Sequence, residues 1–220
     1  MIIAGLDDAG RGSVIGPLVI AGVSLDESLV HRLVKIGVKD SKCLVSAKRR
    51  EIAAKILKIV HKSHIEKLSP AKIDKVVLRN RKLHKLNRLE ACTMARIIDK
   101  LRPEIAYVDA SDVLEERYGK HILEASSFKT EIVSEHKADI KYPIVSAASI
   151  IAKVERDDEI EKLKETYGNF GSGYPSDPRT IDFLQSCLKN SNDYPDIVRR
   201  SWKTARNMKN EKSSCQTRLT

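Results

Sequence analysis

Glu104-Ile105-Ala106-Tyr107-Val108-Asp109 is a short apolar run that stops on a carboxylate, and its flanks decide the fold. Before it, Leu89, Met94, Ile97, Ile98 and Leu101 recur near helical spacing from Asn87 onward, and Pro103 follows the helix end. After it, residues 112–125 read as a second helix and Thr130 to Ser134 repeat the strand pattern. Pro143 then opens a long helix with Ile144, Ala147, Ala148, Ile151 and Val154 on one face. Strand, helix, strand, helix implies crossover connections and parallel pairing.

Upstream, residues 2–7 and 17–25 are short, apolar and β-branched, and Asp8-Ala9-Gly10-Arg11-Gly12-Ser13 joins them, as expected of an antiparallel hairpin. Residues 46–60 read as a helix with Ser46 as N-cap, and 61–68 as an edge strand. The expectation is an α/β fold, a mixed five-stranded sheet flanked by helices. Beyond Pro178 only helix and loop remain. The domain reading is therefore 1–177 for the main domain and 178–220 for a small helical C-terminal appendage, with a frayed tail from about Lys209.

Within 220 residues, 40 Lys plus Arg face 30 Asp plus Glu, a formal net charge of +10 that favours a polyanionic partner. The excess is local: residues 48–102 hold seventeen Lys or Arg against five Asp or Glu. A face of that kind can neutralise phosphates. No aromatic residue precedes Tyr107, so a base-stacking platform cannot come from the first half, and backbone-directed duplex binding fits better. No apolar run approaches the roughly 20 residues of a membrane span. Cys43, Cys92, Cys187 and Cys215 lie far apart with no Cys-x-x-Cys pair, which argues against zinc and disulfide frameworks. Without a signal-like start, a cytoplasmic monomer is the expectation.

Asp7 at the end of the first strand, its neighbour Asp8, Asp109 at the end of the central strand, and Asp139 between a strand and the long helix are carboxylates placed where α/β sites form. Such a cluster repels itself unless cations occupy it, and hard oxygen donors call for magnesium or manganese. Two such ions can activate a water and stabilise the leaving oxygen of a phosphodiester. Taken singly, each aspartate is more often a turn or cap residue.

Asp7-Asp8-Ala9-Gly10-Arg11-Gly12 with Gly16-Pro17-Leu18, Asp40-Ser41-Lys42, Tyr107-Val108-Asp109, and His136-Lys137-Ala138-Asp139-Ile140-Lys141-Tyr142-Pro143 resemble, in order and spacing, the ribonuclease HII family, particularly its archaeal branch. Ser146 to Lys153, Gly171 to Pro178, and Val198 to Thr204 extend the likeness to about residue 206. The resemblance implies an RNase H-like fold and an endonuclease that uses divalent metal. Its substrates would be the RNA strand of RNA/DNA hybrids and ribonucleotides embedded in duplex DNA, and its products would carry 3′-hydroxyl and 5′-phosphate ends. It also implies that Asp7, Asp8, Asp109 and Asp139 bind metal, that Gly10, Arg11 and Gly12 contact 2′-hydroxyls, that Tyr174 packs on a sugar, and that Lys42 holds a phosphate.

Two positions depart from the family: Asp8 stands where Glu is usual, one methylene shorter, and Ser13 where Pro is commoner. The terminal Gln216-Thr217-Arg218-Leu219-Thr220 matches only the first half of a clamp-binding motif, so a sliding clamp is a minor expectation among partners. Glu135 and His136 read as surface residues, and Arg156, Asp157 and Asp158 as a solvated helix face. Lys141 and Lys153 could meet phosphate or acids equally, and Trp202 reads as a packing anchor. The rival readings are another RNase H-like DNA nuclease, which would have no use for a 2′-hydroxyl reader, and a non-catalytic duplex-binding module, which four carboxylates would weaken.

Overall fold

A computed structural model describes residues 1–38, 45–79 and 85–217, with side chains as far as 212. Lys42 lies outside the described residues. In chain order the elements are β1 (Ile2–Ala9), β2 (Leu18–Asp26), α1 (Val30–Lys35), α2 (Ser46–Leu57), β3 (Lys62–Leu68), α3 (Pro70–Val77) and α4 (Lys85–Leu101). They continue as β4 (Ile105–Asp109), α5 (Glu115–Ala125), β5 (Glu131–Glu135), α6 (Ala138–Lys141), α7 (Pro143–Tyr167), α8 (Pro178–Ser191) and α9 (Lys203–Thr217).

The strands form one mixed five-stranded sheet in the order β3-β2-β1-β4-β5. β1 and β2 make the expected antiparallel hairpin, with Ile2 opposite Asp26 and Ala9 opposite Val19. β4 pairs parallel to β1, and β5 parallel to β4. β3 is an edge strand, in keeping with its half-exposed, charged sequence.

Both faces of the sheet are covered. Ile144, Val145, Ala147, Ala148 and Ile151 of α7 join Ile3, Val19, Ala21, Val23 and Leu25 in one apolar cluster, and each fully buried Ile, Val or Leu contributes roughly 1.5–3 kcal/mol. The close approach of α7 needs a residue without a side chain, because a Cβ on Gly5 would lie 2.4 Å from the Ile144 carbonyl carbon. On the other face, Ile97 and Leu101 of α4 lie against Gly22.

Several boundaries differ from the sequence reading, each for a local reason. β1 runs to Ala9, so Asp7 lies two residues inside the strand, because Asp8 and Ala9 still have pairing partners in Ile20 and Val19. Ser46 is the first helical residue and not the cap, which is Val45 with no side-chain bond. The helix expected from 112 begins at Glu115, since buried Asp112 instead accepts from the Leu114 backbone N–H and from Arg117. Asp139 sits in the one-turn helix α6, which the left-handed Lys137 (φ 56°) leads into. The tail stays helical past Lys209, to Thr217.

By compactness the chain divides into two units, residues 1–9, 19–67 and 82–155 in the first, and 10–18, 68–81 and 156–220 in the second. The stretch after Pro178 falls in the second unit, so compactness and the sequence boundary at Pro178 divide the chain differently. The second unit has its own core of Val14, Ile15, Ile160, Phe170, Leu184, Leu188, Tyr194, Ile197, Val198 and Ala205, with Trp202 packed against it. Asp74 of α3 ties it together by accepting from the backbone N–H groups of Arg200 (2.8 Å) and Ser201 (3.0 Å) and from the Ser201 hydroxyl. Among the described residues no helix is long and apolar enough to cross a membrane.

Candidate active site

Parallel pairing sets Leu6 of β1 opposite Val108 of β4, and the next residue on each strand is an aspartate, Asp7 and Asp109. Side chains alternate along a strand, so Asp7 points to the face it shares with Gly5, where α7 lies, while Asp8 leaves by the other face. Asp7 is only 7% exposed. It accepts the backbone N–H of Asp8 (2.7 Å) and hydrogen-bonds Ser149 of α7, whose hydroxyl in turn accepts from Lys153 Nζ (2.6 Å).

Burial pushes the Asp7 carboxyl well above the usual carboxylate range, and the neighbouring charges of Asp8 and Asp109 push the same way. Asp109 is also raised, first by burial and further by Asp139 and Asp8. Its bond from the Ala138 backbone N–H (2.7 Å) and the charge of His136 oppose the rise. Asp139 is half-buried in the first turn of α6. Asp8 accepts from the Ser111 hydroxyl at 3.2 Å. Within the first unit the charges of Asp8 and Asp109 act on Asp7, and those of Asp139 and Asp8 act on Asp109.

Carboxylates that raise one another's pKa are stabilised together by a hard divalent cation, and an all-oxygen donor set suits magnesium or manganese. Asp7 and Asp109, both raised, offer oxygen donors of that kind, with Asp8 and Asp139 as the further charges acting on them. Among the described residues no three His, Cys, Asp or Glu side chains already converge into a finished metal cage.

Residues around the cluster are fixed by acids and backbone. Glu135, opposite Asp109 in the sheet, pairs with Lys141 and accepts from the Tyr142 hydroxyl (3.0 Å), so Lys141 meets an acid. Exposed His136 lies with Nε2 2.7 Å from the Asp112 carbonyl oxygen and Nδ1 3.1 Å from Glu115.

The second unit holds Gly10, Arg11, Gly12 and Tyr174. Gly10 has φ +84°, and a Cβ there would lie 2.8 Å from Arg156 Nε and 2.9 Å from the Pro17 carbonyl oxygen, so only glycine fits. The Ser13 hydroxyl donates to the Gly10 carbonyl (2.8 Å), and the Val14 and Ile15 N–H groups both donate to the Gly173 carbonyl (2.8 and 3.1 Å). Gly12 is exposed and Arg11 half-buried. Tyr174, next to Gly173, places its ring edge 3.9 Å from where a Cβ on Gly12 would be. The glycine-rich loop and the tyrosine loop are therefore bonded side by side.

Sequence reading missed two arginines here. Arg199 is fully buried; its Nε donates to the Gly16 carbonyl (3.0 Å), one terminal N–H to the Arg11 carbonyl (2.9 Å), and its guanidinium stacks 4.8 Å from the Trp202 ring centre. Arg156 is 6% exposed, not on a solvated face. Its signal was available: Val145, Ser149, Ala152 and Arg156 follow one another at helical spacing, so Arg156 continues the buried stripe of α7. No comparable periodicity marks Arg199.

The mixed five-stranded sheet in the order β3-β2-β1-β4-β5, flanked by helices, is a ribonuclease H-like fold. The sequence profile described as Ribonuclease HII matches residues 4–205, and the chain belongs to that family of ribonuclease H endonucleases. It is 49% identical over 206 residues to a ribonuclease HII of Thermococcus sibiricus, covering 93% of this chain and 89% of the relative. The crystal structure of ribonuclease H2 from Pyrococcus horikoshii superposes with a TM-score of 0.88 at 46% identity, covering 96% of this chain and 98% of that one. A ribonuclease HII from Archaeoglobus fulgidus, solved in complex with PCNA, superposes with a TM-score of 0.84 at 48% identity, covering 94% and 96%.

Proposed function

We propose that this chain uses a divalent metal to cut the RNA strand of RNA/DNA hybrids, and duplex DNA on the 5′ side of an embedded ribonucleotide, leaving 3′-hydroxyl and 5′-phosphate ends. The buried Asp7 beside Asp109, each carboxyl held up by burial and further by neighbouring charges, carries the reading. Magnesium or manganese bound there supplies a more acidic water and charge stabilisation at the leaving oxygen. Asp7, Asp109 and Asp139 would hold the metal, and Asp8 would add a fourth negative charge. Ser149, itself bonded to Lys153, fixes the orientation of Asp7.

Gly10, Arg11 and Gly12 read the 2′-hydroxyl, the group that separates RNA from DNA, because glycine lets backbone groups come close. Tyr174 packs on the adjoining sugar, and Lys42 and the basic stretch 48–102 hold phosphates. The same reading makes the protein a cytoplasmic monomer with a C-terminal region that helps hold substrate.

The test offers labelled duplexes with no, one or four ribonucleotides to the wild type and to Asp109→Asn, in magnesium and in manganese. Cleavage 5′ of the lone ribonucleotide, lost in the variant, is the expected result. Equal cutting of all-DNA duplex would favour a DNA nuclease, and binding without cleavage a non-catalytic module. Asp8→Glu restores the methylene that the family usually has and is expected to change the ratio of magnesium to manganese activity; an unchanged ratio rejects a role for the shorter side chain.

A sliding clamp is a second partner, favoured by the clamp complex of the Archaeoglobus relative. Deleting residues 214–220 is expected to weaken capture by the cognate clamp, and unchanged capture disposes of the idea.

A further inference from the structure

Arg156 is the residue on which the sequence and the structure disagree most. It follows Glu155 and precedes Asp157 and Asp158 in a charged stretch, yet it is 6% exposed. Burying a guanidinium is costly unless its surroundings use its charge and shape.

Each part of the side chain has a separate use. The flat guanidinium lies 4.5 Å from the centre of the Tyr174 ring, the geometry of a cation–π stack. One terminal N–H donates to the Ser172 carbonyl at 2.6 Å, two residues before Tyr174, and the other terminal nitrogen is 3.8 Å from Asp157. Cδ and Nε lie where a Cβ on Gly10 would be, at 2.9 and 2.8 Å, and Nε makes no hydrogen bond, so its contribution at Gly10 is packing. Arg156 thus touches the first glycine of the loop with its stem and the tyrosine with its plane.

We infer that Arg156 is a positioning residue that holds the Gly10–Gly12 loop and Tyr174 in register as a single ribose-reading surface. The inference rests on the substrate reading above. Lysine keeps the charge and can still reach the Ser172 carbonyl, but it has no plane to stack and no fork to brace two elements. Methionine keeps the apolar bulk alone. A residue that served only the core would tolerate methionine, whereas one that aligns the tyrosine and the loop tolerates neither.

The test is a double-mutant cycle on the full chain: Arg156→Lys, Arg156→Met, Tyr174→Ala and the two pairs. Single-turnover cleavage of a duplex with one ribonucleotide is measured with metal, and duplex affinity is measured without it. Rates are normalised to the folded fraction from circular dichroism. Each Arg156 variant is expected to lower the cleavage rate about tenfold, the scale of a small misplacement at a reacting centre, with affinity held within about twofold. In the Tyr174→Ala background the further loss is expected to be under about threefold, because Arg156 acts through that ring.

Losses that multiply in full across the pair, or a fall in affinity that matches the fall in rate, overturn the inference. If Arg156→Met does not fold, Arg156→Lys carries the test; if neither folds, Arg156 is a stability residue and the inference is also overturned. A wild type that fails to cut at the lone ribonucleotide overturns the substrate reading itself. A wild type that cuts there, with multiplying losses, overturns only the role of Arg156.

Discussion

A carboxylate as buried as Asp7 destabilises the fold at neutral pH, and the effect has a definite sign. Its folded-state pKa lies above the unfolded value, so the folded protein binds that proton more tightly. This group therefore costs nothing at a pH below the ordinary carboxylate range, and stability falls as pH rises through the raised pKa. Asp7→Asn removes the charge while keeping an oxygen to accept the Asp8 N–H. The metal-free variant is expected to be more stable than wild type at pH 7 by about 1 kcal/mol and so to melt at a higher temperature, with the gap closing as the pH is lowered through the carboxylate range. Thermal melts across pH check this, and a gap that widens on acidification contradicts it. Added magnesium or manganese is expected to raise the melting temperature of wild type more than that of the variant, since a ligand stabilises only the form that binds it.

At the scale of elements, the approach of α7 to β1 depends on Gly5. A Cβ there would meet the backbone of Ile144 at 2.4 Å and of Val145 at 2.6 Å, and backbone cannot rotate aside as a side chain can. Gly5→Ala is expected to destabilise the chain by about 2–3 kcal/mol, read from urea unfolding, and a loss under about 0.5 kcal/mol would mean that the helix simply shifts. The sheet, its hairpin, its parallel half and its edge strand were legible because hydrophobic period and chain order encode them directly. The four aspartates stood out as candidates because the same pattern puts them near predicted strand ends, although Asp7 lies inside β1 and Asp139 in α6. Arg199 was not: a buried arginine that grips two carbonyls leaves no period in the sequence, and its contacts join residues 183 and 188 positions apart. The strand limit at Ala9 and the start of α5 were also hidden, since pairing partners and the Asp112–Arg117 contact set them, not composition.

At the scale of the whole molecule, the net charge of +10 predicts salt-sensitive substrate binding, but the basic stretch is less free than a count implies. Lys48 and Lys55 both bind Glu51, holding its carboxyl down at about 2, while Lys67 faces Glu155, Arg88 faces Glu124 and Arg96 faces Glu66. Substrate binding is expected to neutralise on the order of six phosphates, which corresponds to about a thousandfold loss of duplex affinity between 50 and 200 mM salt. A titration of Kd against salt with Asp109→Asn measures the slope without cleavage, and a flat slope would remove the basic stretch from the binding account.

The grip of Arg199 on the Arg11 and Gly16 carbonyls also orders events during synthesis. The loop leaves the ribosome more than 180 residues before the side chain that shapes it. A nascent chain that already holds Asp7, Asp8, Asp109 and Asp139 still lacks the side chain that braces this loop until translation has passed Arg199.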